Sequence, residues 1–294
     1  MLDSATIHPL TQIVGSENVL TGEYDLDRYS ADALNPFRAY GAEDAFDRLA
    51  DAVVRPESTE QVAGIVSLAA DQGITLIPYG GGTGVMGGTV PVRGGVIVDL
   101  SRMNRILEIN ARNLTATVEG GVVLGDLEDD LAEQGLMPGH DPYSVPIATV
   151  AGAISTNGVG YRAAAYGPMG NQVVALEVVL PDGRIWDGLT ALRKDNTGYD
   201  LKQLFLGAEG TLGIITAAVL KLYPRPANVA TVFCAVAGAR GATAMLSRLR
   251  SATGDGVTTF EYLNRACLDL VLENIDATRD PFQARHGDYA LIEL

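Results

Sequence analysis

Between two apolar runs, ITLIPY and VIVDL, the chain carries PYGGGTGVMGG, Pro78 to Gly88, in which six of eleven residues are glycine and none is charged. Glycine has no Cβ, so such a segment can bring backbone, and not side chains, against whatever it faces. Its Gly82-x-Gly84-x-x-Gly87 spells the dinucleotide-binding fingerprint, but that fingerprint requires a strand before the glycines and a helix after them. The glycines lead instead into GGVIVDL, a β-branched run ending at Asp99 and therefore a strand. Asp99 stands 17 residues after Gly82, near the place of a ribose-binding acid, yet without the helix an NAD-type site is excluded. A P-loop is excluded too, because it needs Gly-Lys-Ser/Thr and the three lysines are Lys194, Lys202 and Lys221. A glycine-dense link between two strands can still form a nest, in which successive backbone N–H groups converge on an anion. In a lysine-poor half, peptide dipoles would do the work that cations do elsewhere.

The remaining composition narrows the class. With 294 residues and 47% hydrophobic content the chain can bury a large core. The 21 basic against 36 acidic residues give a net charge of −15, which argues against nucleic acid as a partner. No apolar run has the length of a membrane span and the N-terminus lacks a signal-peptide pattern, so a cytoplasmic protein is expected. Cys234 and Cys267 sit in apolar surroundings without metal-ligand spacing and read as buried free thiols.

Residues 1–52 read as an N-terminal segment, with a helical pattern near HPLTQIVG, a polar stretch and a mixed stretch to which no role attaches. Ser58 with Gln61 three residues later is a capping signal, and Gly73 a stop, so the residues between form a helix. RILEIN and TATVEGG read as strands, the second alternating Thr115, Thr117 and Glu119 with Ala116 and Val118. Leu124, Leu127 and Leu131 mark one face of a helix closed by Gly135. The small residues of IATVAGAISTNGVG suit a helix that lets backbone approach closely. VVALEVVLPDGRIWDG is a hairpin turning on Pro181-Asp182-Gly183, and LKQLF a short helix with Asp200 as its candidate cap. From residue 228, strand, helix, strand, helix and strand succeed one another in the order of a ferredoxin-like domain, and the closing apolar strand YALIEL implies that this domain is cut short.

The order of motifs carries more than any one of them. IPYGGGTGVMGG, VDLSRMNRI, GHDPYSVPIATVAGAISTNGVG, YGPMGNQVVALEVVLPDG and NTGYDLKQLFLGAEGTLGIIT together resemble the FAD-binding domain of the vanillyl-alcohol oxidase type of flavoprotein. Within it, the D-lactate dehydrogenase, glycolate oxidase and alkyl-dihydroxyacetonephosphate synthase branch is the most similar. The resemblance implies an α+β architecture: a two-subdomain FAD-binding fold over 53–227, followed by the start of a ferredoxin-like cap domain over 228–294. It places the cofactor's pyrophosphate on Gly80, Gly81, Gly82, Thr83 and Gly84, with Gly87 and Gly88 completing the turn. A second cluster falls on Pro142, Ser144, Thr149, Gly152, Ser155 and Thr156, and Ile214 and Ile215 border the adenine end through their backbone.

Three departures qualify the carry-over. Thr83 stands where members that link flavin covalently through this loop carry histidine, which implies non-covalent FAD. Tyr143 and Ala208 replace serines common in DPSS and GSEGTLG. The substrate- and metal-binding histidines of the hydroxy-acid branch belong to the later cap, so no metal site is expected in this chain. His140, beside the second cluster, is the candidate base, and Arg162 the candidate for holding a substrate carboxylate. The activity implied is FAD-dependent oxidation of a small 2-hydroxy acid such as D-lactate or glycolate, with the electron acceptor unspecified. The alternatives are a flavin transferase like alkyl-dihydroxyacetonephosphate synthase, or a non-catalytic flavin-binding subunit working with a partner; a homo-oligomer is equally compatible.

Overall fold

The computed structural model describes residues 4–34 and 48–294; the 35–47 stretch of the N-terminal segment lies outside them. These residues divide into two compact units. The first comprises Met1–Pro138, Ser144–Gly158 and Met169–Pro224, and the second Gly139–Tyr143, Val159–Pro168 and Arg225–Leu294.

The first unit begins with α1 (Ser4–Val14), β1 (Val19–Leu20) and α2 (Glu23–Tyr29), then β2 (Ala52–Val54), α3 (Thr59–Gln72), β3 (Leu76–Tyr79) and β4 (Val96–Asp99). Ser58 Oγ accepts from the Gln61 N–H at 3.3 Å, and Gly73 ends α3 at φ 66°, as the capping pattern predicts. The strands form a sheet in the order β1-β2-β4-β3, in which β4 runs parallel to both of its neighbours. Strands buried on both faces are apolar throughout. Ala52, Val54, Val96 and Val98 join α1 and α3 in the main core, while Val53, Ile77 and Ile97 turn to the opposite face and meet Leu26, Tyr29 and Tyr79. The N-terminal segment thus covers both faces of this sheet.

An antiparallel sheet is built from β5 (Ile106–Asn110), β6 (Thr115–Glu119), β8 (Val173–Val179), β9 (Ile185–Asp187) and β10 (Ile214–Pro224), ordered β5-β6-β10-β8-β9, with β7 (Leu136–Pro138) also pairing β10. Helices α4 (Leu124–Ala132) and α5 (Val150–Thr156) belong to the same core, to which α4 contributes Leu124, Leu127 and Leu131. The alternation read in β6 does not separate inside from outside. Thr115 and Glu119 are buried with their neighbours, and the Glu119 carboxylate takes the Arg105 side chain at 2.7 Å and its N–H at 2.8 Å. Asp200, expected as a helix cap, makes no capping bond. The turn after it is a single 3-10 turn, and the carboxylate takes Lys202 Nζ at 2.6 Å and Gln203 Nε2 at 3.1 Å instead.

The second unit holds α6 (Ala163–Tyr166) and a three-stranded sheet of β11 (Thr231–Val236), β13 (Asp288–Glu293) and β12 (Thr259–Asn264), with β13 central and antiparallel to both. Strands β11 and β12, joined by α7 (Gly238–Thr253), are therefore parallel with a strand inserted between them, the split βαβ arrangement of ferredoxin-like domains. Met245, Leu246 and Leu249 of α7 pack on Ala290 and Ile292. Helix α8 (Arg265–Asn274) is capped by Asn264, whose side chain accepts from the Cys267 N–H at 3.1 Å. Both cysteines are free, as expected, but neither is fully buried. Cys234 is half-buried and Cys267 exposed, because no residue of α8 is fully buried.

Candidate functional site

Parallel neighbours such as β3 and β4 are normally joined by a crossover helix. Here residues 80–95 make the return without one, so the glycine segment must run against the rest of the unit. It does so on both limbs. A Cβ on Gly80 would lie 2.5 Å from Thr149 Oγ1, and one on Gly81 would meet the Ile147 carbonyl carbon at 2.9 Å and its oxygen closer still. Gly82 has φ 64°, and its Cβ would lie 2.9 Å from Tyr79 Cζ. These glycines are required by space, and Gly82 by backbone conformation as well. On the outer limb, the Gly87 N–H donates to Asp32 Oδ2 at 2.8 Å, and the Ala33 N–H to the Gly84 carbonyl at 2.8 Å.

The segment pinned between these limbs has the character of a nest. Among the described residues, no protein acceptor takes the N–H groups of Gly80, Gly81, Gly82, Thr83 or Gly84. Thr89 Oγ1, just beyond them, is buried and equally without a partner there. Backbone donors are ordinarily satisfied. A run of open donors with no side chain in the way fits a diphosphate, which needs several donors and close approach.

The second cluster is assembled against this loop. Thr149 caps α5, accepting from the Gly152 N–H at 3.3 Å. The Ser144 carbonyl accepts from Ile147 and Ala148 at 2.9 and 2.8 Å, closing the turn whose backbone touches Gly81. The Ser155 carbonyl accepts from the Glu209 N–H at 2.9 Å, and Glu209 Oε2 would lie 3.1 Å from a Cβ on Gly88. Thr156 directs its hydroxyl back to the Gly152 carbonyl at 3.1 Å. Ile214 and Ile215 start β10, where Gly120 bonds both the Thr216 carbonyl and the Ala151 N–H, tying the strand to α5. Beside Ile214 a shallow crevice of mixed polarity opens between Val66, Ala70, Leu76, Pro78, Leu180 and Thr211.

Pro142, His140 and Arg162 belong to the second unit, whereas the residues of the glycine cradle belong to the first. His140 is only 2% exposed, and burial lowers its pKa to about 4, so its ring is neutral at pH 7. Its Nδ1 finds no partner among the described residues. Arg162 is held by Asp141, with Nε–Oδ2 at 3.3 Å and its N–H on Oδ1 at 2.7 Å. Asp99 is 1% exposed and accepts from Tyr29 Oη at 2.7 Å, Ser101 N–H at 2.9 Å and Ser101 Oγ at 2.8 Å. It is a structural anchor, consistent with the rejection of a ribose-binding role. Sequence reading missed Asp32, Tyr29 and Tyr79, which act across tens of residues and leave no local pattern.

Comparison with known proteins identifies the family. Residues 50–188 match the family model described as "FAD binding domain". Residues 50–188 therefore carry an FAD-binding domain. The FAD-binding chain is 32% identical over 292 residues to the mitochondrial D-2-hydroxyglutarate dehydrogenase of Arabidopsis thaliana, a match that covers 99% of this chain and 51% of that protein. It is 40% identical over 194 residues to the glycolate oxidase subunit GlcD of Bacillus subtilis (strain 168), covering 66% and 41%. It spans about half the length of the relatives it matches. Solved structures of alkyldihydroxyacetonephosphate synthase (TM-score 0.83, 23% identity, all of this chain and 57% of that one) and p-cresol methylhydroxylase (0.75, 22%, 99% and 60%) share the fold. The α+β FAD-binding fold expected from the motifs is therefore the fold observed. No helix among the described residues is long and apolar enough to cross a membrane.

Proposed function

We propose that this chain is the flavin-binding part of an oxidoreductase that oxidises a small 2-hydroxy acid. The observation that carries the reading is the run of open N–H groups from Gly80 to Gly84, held against Ile147 and Thr149. These donors would hold the diphosphate of FAD, while Thr149, Gly152 and Ser155 border the flavin side, and the crevice at Ile214 takes the adenine. Thr83 offers no histidine for attachment, so the cofactor is assigned as non-covalent. When bound, FAD supplies the hydride acceptor for the substrate's α-carbon.

Arg162, fixed by Asp141, is assigned to the substrate carboxylate. A base with pKa about 4 accepts a proton poorly at neutral pH. We therefore assign His140 a buried, structural place beside the second cluster, and not the removal of the substrate's proton. The relatives named D-2-hydroxyglutarate dehydrogenase and glycolate oxidase subunit support a 2-hydroxy acid as substrate. A cytoplasmic location remains part of the proposal, against a mitochondrial one suggested by the Arabidopsis relative's name.

The test is an absorption spectrum of the purified chain, with FAD added if it is colourless, before and after anaerobic D-2-hydroxyglutarate, D-lactate or glycolate. Bleaching by one of them is expected, and acid precipitation should release the colour into the supernatant. Protein that takes up no FAD would overturn the reading. A second reading, a flavin subunit that needs a partner, is favoured by the Bacillus relative, which is a glycolate oxidase subunit. Yellow protein that bleaches only when a partner is supplied would select it.

A further inference from the structure

Asp32 lies just past α2, 55 residues before the loop limb it touches, and both of its carboxylate oxygens are engaged. Oδ1 accepts from the Leu34 N–H at 2.9 Å, closing a local turn, and Oδ2 accepts from the Gly87 N–H at 2.8 Å. The turn directs the Ala33 N–H to the Gly84 carbonyl at 2.8 Å, and Leu34 Cδ2 lies 3.5 Å from where a Cβ on Gly87 would be. The segment that presents Asp32 is itself fastened to the sheet. Leu26 is buried, Tyr29 Oη donates to Asp99 at 2.7 Å and packs edge-on to Tyr79 with centroids 5.0 Å apart, and Ser30 Oγ accepts from the Ala50 N–H at 2.8 Å. The Gly84–Gly87 limb is therefore tied through Asp32 to the sheet, just as the Gly80–Gly81 limb is set against Ile147 and Thr149.

We infer that Asp32 is a positioning residue for the glycine cradle, holding its outer limb so that the N–H groups of Gly80 to Gly84 converge on a diphosphate. The inference rests on the FAD-cradle reading for its ligand, but the clamp itself can be observed without FAD. Sign distinguishes it from a charge effect. A carboxylate beside an anion site repels the anion, so removing the charge alone should strengthen FAD binding. Removing a positioning contact should weaken it, because hydrogen bonds to charged acceptors are the stronger ones and the limb they hold would be freed.

The experiment compares the whole chain with its Asp32→Ala, Asp32→Ser and Asp32→Asn variants in two measurements. In the first, hydrogen exchange of the FAD-free protein is read over residues 80–95, with β4 as the internal reference for global loosening. In the second, FAD is titrated by flavin fluorescence. The inference expects exchange at Gly87, whose N–H Asp32 accepts, to quicken about tenfold in Asp32→Ala and Asp32→Ser while β4 is unchanged, and FAD to bind about tenfold more weakly. Asp32→Asn keeps one acceptor oxygen and should fall between. Unchanged loop exchange, or FAD bound as tightly as or more tightly than by the unaltered chain, would overturn it. Asp32→Ser retains a small polar side chain and serves if Asp32→Ala does not fold. If the unaltered chain takes up no FAD, the cradle reading fails, and the exchange measurement still decides whether Asp32 clamps the loop.

Discussion

Replacing Gly81 with alanine tests the close approach that the proposed FAD cradle requires. The new Cβ would lie 2.9 Å from the Ile147 carbonyl carbon and 3.2 Å from Ala148 Cα, where ordinary contact starts at 3.4 Å. Both neighbours are backbone in a turn closed on the Ser144 carbonyl, so the loop limb must retreat and the neighbour cannot. A retreat of about half an ångström carries a bond near 2.9 Å to the edge of hydrogen-bonding distance. Losing most of one such bond to a charged oxygen costs about 2 kcal/mol, roughly a thirtyfold rise in the Kd for FAD. The matched control is Gly287→Ala, far along the sequence from the loop, whose Cβ would meet nothing within 4 Å, and which should leave the Kd within about threefold of the original. Flavin fluorescence titration of both variants, with circular dichroism to confirm folding, makes the comparison. A folded Gly81→Ala protein with an unaltered Kd would show that the loop does not contact the cofactor.

Tyr29→Phe removes the hydroxyl that donates to buried Asp99, which should cost about 1–2 kcal/mol and lower Tm by a few degrees. Burial and the bond to Asp99 raise the Tyr29 pKa above its ordinary 10, so the phenol's contribution is complete below that pH and lost above it. The alkaline decline in Tm should therefore flatten in the variant, as a pH series of melting curves would show. His140 has the opposite sense. Its pKa falls from 6.5 to about 4, so the unfolded chain binds a proton that the folded one refuses, and stability declines as pH drops from 6.5 towards 4. His140→Gln should have a flatter Tm profile across that window, and an unchanged slope would contradict the buried neutral imidazole.

Local signals in the sequence determined a good deal. The Ser58 cap and Gly73 stop bound α3, the Pro181-Asp182-Gly183 turn sets the β8–β9 hairpin, and Leu124, Leu127 and Leu131 mark the buried face of α4. Each depends on contacts within a few residues, which is the range over which a sequence pattern carries physical information. The ordered motifs likewise implied the FAD-binding fold, and the β-branched run after the glycines was enough to reject a Rossmann loop. Other features depended on which elements fold against one another. That the N-terminal segment covers the sheet, that Asp32 reaches Gly87 and Tyr29 reaches Asp99, and that Gly81 lies against Ile147 are pairings across 55, 70 and 66 positions. Thr115 and Glu119 alternate with Ala116 and Val118 in the sequence, yet both are buried with them, which the alternation by itself does not show. The sequence determined a glycine loop between two strands; only the tertiary structure decided that its donors stay open, because packing against Ile147 and Thr149 brings no acceptor among the described residues to Gly80 to Gly84.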